Sequence, residues 1–248
     1  MAGGVTKNWI RVLLGGLLLS SGAALADEQV KWRTEAQLGV VDSRSEQRDR
    51  TINGRLHLQA DTELWRNTTR AQLLHTKTDS ITSKENYLFS HQLDYQWTPQ
   101  VYSLASGRYE YRRFASFDHQ YDALAGLGYR VLHSDAREWS LEAGLGLKFT
   151  ERSIEPQEKD HSVLKRAASK FASDLTETIR FQQEIIYDDA EETSEWRLLH
   201  SLAVRANDFF SMSVSHEWKR MDDVREAEHQ LDTITSLNLV FNWCPSRN

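Results

Sequence analysis

The sequence predicts an all-β fold: an antiparallel up-and-down transmembrane β-barrel of about twelve strands, with short periplasmic turns and longer extracellular loops. Three observations carry this. Apolar and polar residues alternate with a period of two along segments of about ten to thirteen residues, the length that crosses a bilayer at a tilt. Aromatic residues gather at the ends of those segments, where amphipathic rings suit the headgroup level. The chain also finishes on an amphipathic segment, "SLNLVFNW".

Composition alone points elsewhere. With 40% hydrophobic residues and a formal charge of -6, the chain resembles an ordinary water-soluble protein. A membrane barrel turns only alternate residues toward lipid, so it never shows a long apolar run. Periodicity therefore decides the class.

The first element is a leader. "MAGGVTKNWIRVLLGGLLLSSGAALADEQ" has a basic start at Lys7 and Arg11, an apolar stretch from Val12 to Leu19 and a small-residue cleavage site at Ala24 and Ala26. This reads as a secretory signal peptide over residues 1–26, its core too short to span a bilayer as a helix. The expected barrel domain is 27–243, followed by a tail at 244–248. The single cysteine, Cys244, excludes an internal disulfide framework. Spread basic residues and an acidic balance argue against nucleic acid.

Twelve strands follow in order. They are expected near Val30 to Val40, Thr51 to Asp61, Leu64 to His75, Asn86 to Trp97, Val101 to Phe114 and His119 to Leu132. The second six fall near Trp139 to Thr150, Ser162 to Ala172, Thr176 to Tyr187, Glu195 to Ala206, Phe209 to Arg220 and Gln230 to Trp243. "NYLFSHQLDYQW" shows the pattern, with Tyr87, Phe89, His91, Leu93, Tyr95 and Trp97 on one face and Leu88, Ser90, Gln92, Asp94 and Gln96 on the other. "WSLEAGLGLKF" repeats it from Trp139 to Phe149, and "FSMSVSHEW" from Phe210 to Trp218. In Ser162 to Ala172, Arg166 and Lys170 share a face while Lys165 breaks the apolar side. An even strand number places both termini on one side, here periplasmic.

Connectors sort into two classes. "TPQ", "SDL" and "AND" are short turns, whereas "VDSRSEQRDR", "TKTDSITSK", "ERSIEPQEKDH", "DDAEETS" and "MDDVREAEH" read as longer charged outer loops. "RRFASFDHQ" is a brief exception. The acidic runs Asp188, Asp189, Glu191, Glu192 and Asp222, Asp223, Glu226, Glu228 read as solvated loop, with cation or partner binding as the alternative.

Alternation does not by itself choose between a soluble barrel with an apolar core and a membrane barrel with an apolar exterior. Charges on nearly every polar face and aromatics at strand ends, including Trp32, Trp65, Trp97, Trp139, Trp196, Trp218 and Trp243, favour lipid outside.

"GRYEYRRFASFDHQYDALAGLGYRV" followed by "WSLEAGLGLKF" resembles the family of putative salt-induced outer-membrane proteins, a barrel family of unknown function. The similar pieces are "RYEYRRF", the Asp118 turn, "AGLGYR" at Ala125 to Arg130 and "LEAG" at Leu141 to Gly144, with a looser likeness over the whole mature chain. The first outer loop departs, with "DSRSEQRD" where members tend to carry a Gly-Asn turn. The resemblance implies an outer-membrane barrel linked to salt or osmotic response, and no catalytic residues.

The expected lumen face carries both signs: Arg33, Glu35, Arg55, Arg66, Arg70, Asp94, Arg108, Glu110, Arg112, Asp122, Arg130, Glu142, Lys148, Arg180, Glu184, Arg197, Arg205, Glu217 and Asp232. Arg108, Glu110 and Arg112 line one face of one strand and form the candidate constriction, with Arg66, Arg70, Arg130 and Glu142 as further lumen residues. The leading expectation is a narrow channel for small solutes or ions. The alternative is a closed barrel in which these charges pair as a polar core, with a structural or surface-interaction role in the envelope.

A lipid-modifying enzyme in the barrel wall, such as a hydrolase or deacylase, is a further and less favoured alternative. None of the nine histidines has a serine two positions away, the spacing that puts base and nucleophile on one strand face. His91, His200 and His216 read as bilayer-facing. No cofactor or metal is expected. The expected partners are outer-membrane lipid and lipopolysaccharide, small ions or solutes, and the barrel-assembly machinery reading Leu239, Phe241 and Trp243 as an insertion signal. A monomer is expected.

Overall fold

The structure, a computed structural model, describes residues 30–44, 48–79, 81–113, 117–134, 136–152, 159–191, 193–223 and 228–243. The leader with Ala24 and Ala26, and the tail with Cys244, lie outside the described residues.

Twelve strands form one closed antiparallel barrel in which each pairs with its chain neighbours and β1 pairs with β12. They are β1 (Lys31–Arg44), β2 (Arg48–Asp61), β3 (Trp65–Thr78), β4 (Ile81–Gln96), β5 (Val101–Arg113), β6 (Phe117–His133), β7 (Arg137–Arg152), β8 (Lys159–Asp174), β9 (Ile179–Ala190), β10 (Thr193–Arg205), β11 (Phe210–Asp223) and β12 (Glu228–Trp243). Each expected strand is present. Closure leaves no sheet edge over the paired rows, so backbone donors and acceptors are satisfied between strands.

The apolar face points out. Leu145, Leu147, Phe149, Val214, Leu237 and Leu239 are among the large apolar side chains exposed on the exterior, while Asp122, Asp188, Glu195 and Lys219 are buried inside. This is the inverse of a water-soluble barrel and the distribution of one that sits in lipid. Trp32, Trp65, Trp97, Trp139 and Trp243 ring the end at which β1 begins and β12 finishes, here called the terminal end. Trp196 and Trp218 belong to a second ring toward the other, distal end, where Trp196 meets Tyr187 at 4.4 Å between ring centres. Hydrogen-bonded turns close the terminal end, as where Thr62 Oγ1 accepts from the Trp65 amide at 3.0 Å.

The connectors correct the sequence reading. The segments read as long outer loops are in large part strand: β1 runs on to Arg44, β3 to Thr78 and β9 to Ala190. Charged residues past the aromatic ring keep pairing because the ladder bonds belong to the backbone and are indifferent to side-chain polarity. Lys165 does break the outward side of β8, and it pairs there with Asp189 of β9 at 3.1 Å.

Candidate functional site: the lumen

A barrel of twelve strands is too wide to be filled by short apolar side chains, and here long charged side chains reach across it. The ring order makes β5 and β11 opposite, as it does β3 and β9. Both opposite pairs are joined by ion pairs: Lys219 Nζ to Glu110 Oε1 at 2.8 Å, and Arg70 Nη1 to Glu184 Oε1 at 2.8 Å.

The terminal third is organised around Tyr102. Its ring packs with Leu104 and Leu124 in a small inward apolar cluster. Gly128, opposite it on β6, leaves the room: a Cβ there would collide with the ring. The Arg130 guanidinium stacks over the same ring, 4.9 Å from its centre. Arg130 also donates to the Gln96 side chain and to the Pro99 carbonyl at the barrel mouth. Nearby, Arg66 bridges Asp61 at 2.8 Å and Glu138 of β7 at 3.1 Å.

In the middle, Glu142 accepts from Lys170 Nζ at 2.8 Å, from Tyr102 Oη at 2.8 Å and from Gln92 at 3.3 Å. The distal tier is the densest. Alternation on β5 sends Arg108, Glu110 and Arg112 inward between the outward Tyr109 and Tyr111. Arg108 pairs with Asp122 at 2.5 Å, Asp188 at 3.3 Å and Glu195 at 3.6 Å, and so links β5 to β6, β9 and β10. Arg166 of β8 grips Asp188 through two nitrogens, at 2.5 Å and 2.7 Å. Glu195 is also held by Arg197 and by Lys219, the latter at 3.2 Å. Arg112 reaches Asp232 of β12 at 2.8 Å, and Lys84 reaches the same carboxylate at 2.6 Å.

All seven expected lumen residues, Arg66, Arg70, Arg108, Glu110, Arg112, Arg130 and Glu142, therefore point inward and find polar partners. Arg108, Glu110 and Arg112 share the inward face of β5, and each also takes partners on other strands. Arg33 and Arg205 share the inward phase but stand exposed at the terminal rim. Asp188 corrects the reading of an acidic outer loop: it is 0% exposed and sits between two arginines. Asp188, Glu195, Arg166 and Lys219 are among the lumen residues that sequence reasoning left out, as are Lys84 and Lys170. Phase was the available signal, since Asp188 shares parity with Glu184, Glu195 with Arg197 and Lys219 with Glu217.

Outside, Leu239, Phe241 and Trp243 are exposed on the apolar exterior. The outward histidines are tied to neighbouring strands, His91 to Thr69 at 2.9 Å and His216 to Thr235 at 2.8 Å. Such imidazole and hydroxyl pairs are the beginning of a dyad, but among the described residues no carboxylate is hydrogen-bonded to either ring. No cluster of three or more potential metal ligands occurs among the described residues.

A closed antiparallel barrel with an apolar exterior and an ion-paired interior defines a membrane β-barrel with a charge-filled lumen. The chain belongs to the family described as "Protein of unknown function, DUF481", whose model matches residues 36–243. Solved structures similar to it include the translocator domain of the autotransporter NalP from Neisseria meningitidis, at 8% identity, covering 94% of this chain and 95% of that one, with a TM-score of 0.47. An outer-membrane channel from Pseudomonas putida is similar at 9% identity, 86% and 95% coverage and a TM-score of 0.47. The NanC porin is similar at 9% identity, 86% and 98% coverage and a TM-score of 0.45. No curated protein matches the chain.

Proposed function

We propose that this protein is exported through a cleaved signal peptide to the outer membrane, where its barrel is a narrow, normally shut passage for small ions or solutes. The terminal end faces the periplasm in this reading. The observation that carries it is the set of ion pairs joining opposite walls, Lys219 to Glu110 and Arg70 to Glu184. Buried ion pairs add little stability over apolar packing, so a lumen filled with charge is a poor device for filling space alone. Charged tiers do sort solutes by sign, and they open by breaking contacts between side chains without moving the wall. A role without enzymatic chemistry belongs to the same reading, and a link to salt or osmotic response rests on the family resemblance.

Planar-bilayer recording of the refolded protein tests this. Wild type is expected to give small, infrequent openings, and Arg108→Ala combined with Arg112→Ala larger and more frequent ones. Silence from both proteins would overturn the passage. It would favour the second reading, a sealed structural barrel, whose support is the burial of Asp188 and Glu195 at 0% and 2% exposure.

A further inference from the structure

One row of the outer wall is polar where its surroundings are apolar. Gln183 of β9, His200 of β10, His216 of β11 and Thr235 of β12 stand side by side on the exterior, each directly opposite the next. Leu202, Val214 and Leu237 flank them on the terminal side, all exposed. Polar groups on a lipid-facing wall are costly, so a contiguous row of them calls for a reason.

The two histidines are direct cross-strand partners, which puts their Cβ atoms about 4.5–5.5 Å apart. Each ring is held from its far side. His200 Nδ1 meets the Gln183 side chain at 3.4 Å, toward β9, and His216 Nδ1 meets the Thr235 hydroxyl at 2.8 Å, toward β12. Nδ1 and Nε2 occupy opposite edges of an imidazole ring. Anchoring both Nδ1 atoms away from the pair therefore turns the two Nε2 edges toward each other. Neither Nε2 makes a hydrogen bond among the described residues. Phe181 lies alongside the His200 ring, 6.2 Å between centres, and restricts its rotation. His216 is exposed and His200 half-buried, so the facing edges are open to the outside.

We propose that His200 and His216 form an exterior binding site for a divalent transition-metal ion of the zinc, nickel and copper group. Both Nε2 atoms bind the ion at about 2.0–2.1 Å, and water fills the remaining positions. Imidazole nitrogen selects these ions over calcium and magnesium, which take oxygen ligands. Gln183 and Thr235 supply the support that metal-binding histidines need. With Nε2 on the metal, each Nδ1 carries the proton and donates a hydrogen bond, to Thr235 Oγ1 and, after rotation of the amide, to Gln183 Oε1. Ions reach the site from water, because Trp218, the next outward residue after His216 on β11, belongs to the distal aromatic ring at the headgroup level. This site lies on the outer wall and does not depend on the lumen conducting.

Titration of Zn²⁺ and Cu²⁺ into the folded full-length protein in dodecyl maltoside tests it, in a Cys244→Ser background that removes the thiol. The protein is expected to bind one ion at this site, undisplaced by a large excess of Mg²⁺, and the paramagnetic resonance spectrum of the Cu²⁺ form to show two imidazoles per ion. His200→Leu and His216→Leu are each expected to lose the two-imidazole spectrum. Thr235→Val is expected to keep that spectrum and weaken binding about tenfold. His91→Leu, on another part of the exterior, is expected to change neither. Heat-modifiable gel mobility shows which variants are folded. A spectrum with one imidazole or none, displacement by Mg²⁺, or equal binding with and without His216 overturns the site. Four imidazoles per ion also overturn it, since that requires two copies on one metal. If the histidine variants fail to fold, Thr235→Val decides: unchanged affinity overturns the proposal, and the tenfold loss supports it.

Discussion

Lys219 and Glu110 lie on strands six places apart in a ring of twelve, and their charged atoms are 2.8 Å apart. The energetics of that contact are asymmetric. Removing Lys219 leaves both Glu110 and Glu195 short of a buried cation, and replacing Glu110 as well still leaves Glu195 short of one. Lys219→Met alone is expected to cost about 3–5 kcal/mol, and Lys219→Met with Glu110→Leu to recover part of that. Denaturant unfolding in lipid vesicles measures both. A double variant as unstable as the single would show that this pair is not the unit that matters.

The lipid face has its own test. Leu145 is 64% exposed on β7, between Trp139 and Phe149. Leu145→Arg is expected to cost about 2–4 kcal/mol of folding free energy in bilayers. The same substitution on a water-facing surface costs almost nothing, so an unchanged unfolding midpoint would place this face outside the hydrocarbon.

Gly128 tests the terminal third. Gly128→Ala drives a methyl group into the Tyr102 ring, which must swing off its contacts with Arg130 and Glu142. The expected loss is about 1–3 kcal/mol, the usual range for overpacking. Gly128→Ala with Tyr102→Leu is expected to regain part of it.

The expected role of the last strand in insertion is tested at Trp243. Trp243 is exposed on the exterior and stands in the first row of the seam between β1 and β12, opposite Thr34. Trp243→Ala is expected to lower the heat-modifiable, folded fraction in outer membranes, while deletion of residues 244–248 leaves it unchanged or raised. Gel mobility of boiled and unboiled membrane samples reads this directly.

Most of the architecture was legible because period-two alternation is a local property. It placed twelve strands and put Arg108, Glu142 and Arg70 on the inner face before any fold was known. Strand ends were less legible: charged segments such as that through Asp188 carry the composition of loops, and only the continued phase shows that they remain in the ladder. The partners were not legible at all. Phase says which way Glu110 points, but the meeting with Lys219 depends on ring order and on how two walls approach, which no stretch of sequence states. The short seam between β1 and β12, six paired rows against 11 to 15 for the other neighbouring pairs, was hidden for the same reason, since nothing in "TSLNLVFNW" or "TEAQLGVV" says how many rows they share.

That six-row seam also bears on how the barrel is made. Strands that follow one another in the chain zip through short turns, so their pairing has a small loop-closure cost. β1 and β12 are the farthest apart in the chain, and their pairing has to wait for the other ten strands. With so few rows to gain, the final step of assembly is the least downhill and the first to reverse when the folded protein is heated. In this molecule, melting is expected to start at the row that pairs Gly39 with Asn238, where the contact between β1 and β12 stops.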